Sequence, residues 1–166
     1  MRLLLERADE LPPARLEETA AGASSPAALS EVLAFLDAET ETARTADRRR
    51  RVLTLAIAAA RGSKSLGRAA PLRLRTEAGA LVASALEVAL HAGDPLDEGL
   101  ARAAVAAVTP AQAAQLLEGL GSLYADAAPP ADQARAVRAA TAALSARFPA
   151  LAAARRREFE RLAAAP

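Results

Sequence analysis

The chain contains no cysteine, no tryptophan, a single lysine and a single histidine. The lack of cysteine excludes disulfides, thiolate metal ligands and thiol nucleophiles. His91 alone cannot form a multi-histidine metal site. Aromatic residues make up only 2% of the sequence, which argues against an aromatic-lined ligand pocket or a base-stacking platform. We therefore expect no cofactor, no metal, no small-molecule substrate and no enzymatic activity.

Long apolar runs are also missing. The first seven residues, Met1–Arg7, become charged again after three leucines, whereas a secretory signal needs a longer apolar stretch. The longest apolar run, Val52–Ala60, has roughly half the length that spans a bilayer. We expect a cytoplasmic protein without a membrane partner.

Arginine far outnumbers the one lysine, and together with the abundant alanine this indicates a GC-rich bacterial genome.

The residues that are present favour helices. Hydrophobic residues make up 52% of the 166 positions, and many of them are alanine, the strongest helix former. There is no sustained alternation of β-branched residues and no Asn-Gly or Asp-Gly hairpin turn. The sequence predicts an all-α fold, an irregular bundle of about seven or eight helices with short connections. Its length suits a single domain over 1–166, within which we expect 1–24 to pack loosely.

Caps and glycines predict individual helix boundaries. Ser25-Pro26 and Thr109-Pro110 combine an N-cap side chain with proline at the first helical position, and Gln112 completes a capping box after Thr109. Asp94-Pro95 has the same form, so we expect a helix to begin within a residue or two of Pro95. Gly62 and Gly93 are predicted to end helices, with a loop from Gly62 to Ala70.

The most unusual feature is a basic segment, residues 48–75, which contains no acidic residue. Asp47 and Glu77 bracket it. Its charge is +9 in a chain of net charge +1, so the remainder of the chain carries −8. The cations are Arg48, Arg49, Arg50, Arg51, Arg61, Lys64, Arg68, Arg73 and Arg75.

Three interpretations fit this segment. It is a binding site for nucleic acid or another polyanion, a solvated cationic face, or a seam that pairs with acidic residues. Such acids would come from the same chain, for example Asp37, Glu39 and Glu41, or from a second subunit. The first interpretation predicts that the cations converge on one exposed face, and the third that they meet carboxylates.

Two short segments resemble known motifs without matching them. Gly62–Gly67 is similar to a phosphate-binding loop, but it lacks the Gly-Lys-Ser/Thr order, and a predicted helix precedes it instead of a strand. Leu100–Gly119 resembles a bacterial helix-turn-helix, but the turn glycine is missing and the spacing is about two residues too long. Its second helix also lacks Arg, Lys and Asn for base contacts. We expect neither nucleotide binding nor base reading.

By elimination, the sequence favours a non-enzymatic helical protein–protein interaction or assembly module. We expect it to self-associate as a homodimer, because alanine-rich helices bury modest apolar faces and leave grooves or ridges exposed. The alternative is sequence-nonspecific binding of nucleic acid or another polyanion through residues 48–75.

Overall fold

The computed structural model describes residues 13–22, 25–125 and 129–164. Within these ranges the chain is helical without any strand, which confirms the all-α prediction and the short connections. None of the described helices is long and apolar enough to cross a membrane. The α-helices are α1 (Pro13–Ala21), α2 (Pro26–Thr42), α3 (Ala46–Ser65), α4 (Leu72–His91), α5 (Glu98–Ala107), α6 (Pro110–Leu123), α7 (Ala131–Arg147), α8 (Pro149–Ala154) and α9 (Arg156–Ala163), with a 3-10 turn at Gly67–Ala69.

Two helix starts agree with the sequence because their caps are satisfied locally. The Ser25 hydroxyl accepts a hydrogen bond from the Ala28 amide at 3.2 Å, and α2 begins at Pro26. At the start of α6, the Thr109 hydroxyl accepts from the Gln112 amide at 3.5 Å. The Gln112 side chain in turn accepts from the Thr109 amide at 2.8 Å, which completes the predicted capping box.

The predicted helix start at Pro95 is wrong, since α5 begins only at Glu98. Asp97 is the N-cap, and its carboxylate accepts a hydrogen bond from the Leu100 amide at 2.8 Å. Asp94 cannot serve as the cap, because its buried carboxylate is engaged by Arg49 of α3.

The predicted end of α4 at Gly93 is confirmed. Gly93 has a φ of 78°, a left-handed conformation that glycine adopts without strain. Its amide donates to the Leu90 carbonyl, and the Asp94 amide donates to the Ala89 carbonyl. These two bonds form a Schellman motif, which turns the chain sharply and directs Asp94 back toward α3.

The predicted helix end at Gly62 is wrong. Helix α3 continues to Ser65, and Gly62 lies buried inside it. A Cβ atom at Gly62 would lie 2.5 Å from the carbonyl oxygen of Ala21, which is the last residue of α1. The glycine is therefore required for the close approach of α1 and α3.

Helix directions follow from contacts at the two ends of α3. Arg48 pairs with Glu39, and Arg49 pairs with Asp94, so α2 and α4 both finish beside the start of α3. We call the N-terminal end of α3 the start end and its C-terminal end the far end. Helices α2 and α4 therefore run parallel to each other and antiparallel to α3.

The later helices continue this alternation. At the far end, Lys64 of α3 contacts the Ala106 carbonyl of α5 and Arg147 of α7 contacts the Val105 carbonyl, so α3, α5 and α7 finish together. The Gln112 side chain donates to the Thr76 carbonyl at 2.7 Å, which places the start of α6 beside the start of α4.

The helices form two layers. One layer contains α1, α3, α5 and α7, and the other contains α2, α4 and α6. Helix α9 packs against α6 and α7 and buries Phe159 and Leu162. Most helices pack against the next one or two along the chain, as in stacked helical hairpins, although helix lengths vary from 20 residues in α3 to 6 in α8.

The core lies between the two layers. Alanines such as Ala56 and Ala59 of α3 are fully buried and allow neighbouring helices to approach closely. Most of the largest fully buried side chains are leucines: Leu29, Leu36, Leu53, Leu86, Leu116, Leu117, Leu120, Leu144 and Leu162.

The N-terminal segment 1–24 is described only in part. Pro13–Ala21 forms α1, which packs against α3 and buries Ala20. Residues 1–12, 23 and 24 lie outside the described residues. The loose packing of 1–24 therefore stays a prediction.

We predict that Gly62→Ala destabilises the protein by about 1–3 kcal/mol, because the added methyl group must displace the α1 backbone. The gain in helix propensity, at most about 1 kcal/mol, opposes this loss. Urea unfolding followed by circular dichroism measures the difference. Gly119→Ala is the control, since its methyl group would meet only the mobile carboxylate of Glu87, and it should be neutral or stabilising. Equal stability of the Gly62→Ala protein and the wild type would contradict the proposed close approach.

Candidate functional site

The structure divides the basic segment between the two ends of α3. Arg48–Arg51 lie in the first turns of α3, whereas Arg61 and Lys64 lie in its last turns. Arg68 follows in the 3-10 turn, and Arg73 and Arg75 lie in the first turn of α4. The nine cations therefore do not converge on one face.

At the start end of α3, exposed arginines meet carboxylates of the same chain. Arg48 donates two hydrogen bonds to Glu39 of α2, at 2.8 and 3.0 Å. Arg50 lies 3.2 Å from the carboxylate of Asp97, which caps α5. Arg51 is half-buried and lines a cleft of about 320 Å³ together with Glu17 of α1. These contacts fit the seam interpretation and involve Glu39, one of the acids suggested by the sequence.

Arg49 forms the most buried ion pair of the segment. It donates two hydrogen bonds to Asp94, at 2.7 and 2.6 Å, with side chains 14% and 4% exposed. The hydrogen bonds to Asp94 raise the pKa of Arg49 above its usual value. A third contact, 3.3 Å to the Ala43 carbonyl, holds the guanidinium against the chain entering α3. Arg49 is thus a structural residue that is not available to a ligand.

A buried glutamine extends this polar cluster to α6 and α7. The Gln133 side chain, 1% exposed, donates to the carbonyl oxygens of Leu90 at 3.0 Å and Asp94 at 3.3 Å. Its own oxygen accepts from the Tyr124 hydroxyl at 2.9 Å. Burial, followed by the nearby charge of Asp132, raises the pKa of Tyr124. The arrangement joins the ends of α4 and α6 to the start of α7, and its hydrogen bonds are satisfied internally.

At the far end of α3, three cations come together, and no carboxylate of the described residues forms an ion pair with them. The Lys64 ammonium donates to the Ala106 carbonyl at 2.9 Å, and Arg147 donates to the adjacent Val105 carbonyl at 2.5 Å. Burial, together with the charges of Arg147 and Arg61, lowers the pKa of Lys64. We call Arg61, Lys64 and Arg147 the far-end cation cluster. Arg147 lies outside the basic segment, so the sequence did not identify it.

The remaining cations of the segment are exposed. Arg73 lies 2.6 Å from Glu77, one turn further along α4. The hydrogen bond to Glu77 raises the pKa of Arg73. Arg68 and Arg75 are exposed near the same end of the helix array as the far-end cation cluster. Among the described residues, the cations of the segment that lack a neutralising carboxylate therefore lie mainly at this end of the molecule.

A second candidate surface is the α2–α4 groove, an open depression of about 420 Å³. Its charged members are Asp37 of α2 and the Arg73–Glu77 pair of α4. Leu72, which is 71% exposed, lies at the start of α4 beside Arg73. Small and aliphatic residues line the rest of the groove: Ser30, Leu33, Ala34, Ala80, Leu81 and Ser84.

The described residues do not assemble a metal site. No group of three or more acidic or histidine side chains is positioned to hold a metal ion in the part of the chain that the structure describes. His91 is exposed in the last turn of α4, where a cation interacts favourably with the helix dipole. The expectation that the protein is not an enzyme stays a prediction.

We predict that Arg49→Gln destabilises the protein by about 3–5 kcal/mol, because it leaves the buried Asp94 carboxylate without its charged partner. Arg50→Gln, which removes an exposed ion pair from the next position, should cost less than about 1 kcal/mol. Chemical denaturation of both variants measures the contrast. A similar loss in both would show that the Arg49–Asp94 contact does not hold α3 against the end of α4.

Comparison with known proteins does not assign the chain to a family. No protein-family model matches the chain, and neither a curated protein nor a solved structure matches it. The placement of charged and apolar side chains is therefore the basis for the function proposed below.

Proposed function

We propose that the protein is a non-enzymatic helical interaction module that self-associates through the α2–α4 groove, with a second copy of the chain as its partner. The observation that carries this proposal is the charge pattern of the groove, which has the Arg73–Glu77 ion pair toward one end and Asp37, outside the described ion pairs, toward the other. The argument rests on the direction of the two helices and on the residues between the charges.

The groove is self-complementary under a two-fold axis. Because α2 and α4 run parallel, Arg73 lies near the end where both helices begin, and Asp37 lies nearer the end where both finish. None of the described ion pairs joins Asp37 to a cation. A two-fold axis perpendicular to the helices brings Arg73 of one copy toward Asp37 of the other, so that Arg73 lies between its own Glu77 and the second copy's Asp37.

The apolar part of the groove suits a helix–helix contact. Ala34 and Ala80 are exposed and small, so a helix of the second copy can approach the backbones of α2 and α4 closely. Among the described residues, Leu72 is the large hydrophobic side chain that stays exposed, and it lies at the start of α4 outside the groove lining. A dimer interface that extends past the groove to cover it would gain on the order of 1.5–3 kcal/mol.

The pairing of the basic segment also supports this proposal. Arg48, Arg49 and Arg50 form ion pairs with carboxylates of their own chain. Their positive charge is therefore neutralised within the fold and is not available to a polyanion. The net charge of the whole chain is only +1, so two copies approach each other without strong long-range repulsion.

We predict that sedimentation velocity shows a monomer–dimer equilibrium in the micromolar range for the wild type. Ala80→Glu places a charged side chain in the groove and should give a monomer with unchanged helix content. The matched control is Ala142→Glu, which makes the same change at an exposed alanine of α7 and should leave the dimer intact.

A charge exchange tests the orientation of the two copies. Asp37→Arg should weaken the dimer, because it places two arginines against each other, and adding Arg73→Asp should restore it. A wild type that stays monomeric well into the micromolar range would overturn the proposal. Dimers that survive Ala80→Glu would place the interface on a different surface.

A further inference from the structure

The far-end cation cluster keeps a positive charge that the rest of the structure does not neutralise. Arg61, Lys64 and Arg147 lie where α3, α5 and α7 finish. Within the described residues, Lys64 and Arg147 donate hydrogen bonds to backbone carbonyls of α5, and no carboxylate forms an ion pair with the three side chains. At the start end of the same helix, Arg48 and Arg49 are each held by a carboxylate. Within the described residues, carboxylates therefore neutralise cations at the start end of α3 but not those of the far-end cation cluster.

Helix dipoles do not remove this excess. Each helix C-terminus contributes about half a negative charge, so the ends of α3, α5 and α7 together offset roughly half of the three positive charges. Helices α2, α4 and α6 begin at this same end and contribute positive dipole ends. Burial, followed by the charges of Arg147 and Arg61, lowers the pKa of Lys64. A bound anion would relieve the mutual repulsion of the three cations.

The surroundings of the cluster define the class of anion. Its three members are exposed on an open surface, and Arg68 and Arg75 extend the positive field at the same end. Such a surface suits an extended chain of phosphates, because arginine forms paired hydrogen bonds with phosphate oxygens. Phe148 is the aromatic residue next to the cluster, and it is already covered by Arg147, whose guanidinium carbon lies 5.1 Å from the ring centre. The site therefore offers phosphate contacts without a free platform for base stacking.

We propose that the far-end cation cluster binds the phosphate backbone of nucleic acid without reading its sequence. Arg61 and Arg147 contact phosphate oxygens, and the neighbouring Lys64 supplies a further charge. This function goes beyond self-association through the α2–α4 groove and uses different residues, so either can fail without the other.

Fluorescence anisotropy with a labelled DNA duplex, and with duplexes of scrambled sequence, tests the proposal at about 50 mM salt. The wild type should bind them all equally, with a log–log salt slope of about −3 for three phosphate contacts. The variant Arg61→Gln/Lys64→Gln/Arg147→Gln should lose at least about tenfold in affinity and most of the salt slope. The matched control, Arg48→Gln/Arg50→Gln/Arg102→Gln, removes the same charge from ion-paired positions and should lose less than about threefold.

Two further variants separate binding from folding. Arg61→Glu leaves the contacts of Lys64 and Arg147 with the α5 carbonyls in place and should still weaken binding. Lys64→Arg/Arg147→Lys keeps the charge and should bind like the wild type. The proposal is overturned if the wild type does not bind DNA at micromolar concentration, if the two triple variants lose affinity equally, or if only vesicles containing anionic lipid are bound.

Discussion

The buried ion pair between Arg49 and Asp94 is the constraint on which the helix array depends. A carboxylate that is 4% exposed needs a charged partner, so the start of α3 and the turn after α4 are held at one separation and one register. Gln133 then uses a carbonyl of the same turn to fix α7. Alanine-rich faces resist sliding only weakly because their side chains interlock little. The polar contacts at this end supply the specificity that such faces lack.

The two ends of α3 show how one run of similar residues acquires different roles. Near Arg48, acidic residues from α2 and from the α4–α5 connection surround the helix, and the cations become part of the fold. Near Lys64, the neighbouring groups are carbonyl oxygens at the end of α5 and two further cations, Arg61 and Arg147. The local sequence is basic in both places. The difference comes from the helices that the fold brings alongside.

The sequence predicted features whose cause is local and failed where the cause is distant. The capping hydrogen bonds between Thr109 and Gln112 form within one helical turn, so the local sequence was enough to predict them. Asp94 and Asp97 both follow the capping pattern, and only Arg49, 45 positions away, decides which one caps α5. Gly62 is likewise required by the close approach of α1, and it does not mark the end of a helix. Arg147 could be recognised as a cation at a helix end, but no local pattern shows that α3, α5 and α7 finish together.

The stacking order of the helices has a consequence for how the chain folds. Most of the packing joins helices that are one or two apart along the chain, so few contacts require a long loop to close. Topologies of this kind have low contact order and fold rapidly compared with sheets of similar size. A pair such as α3 and α4 can form early and offer its exposed sides to α2 and α5. We expect assembly to spread outward in both directions from that pair, as in nearest-neighbour repeat arrays.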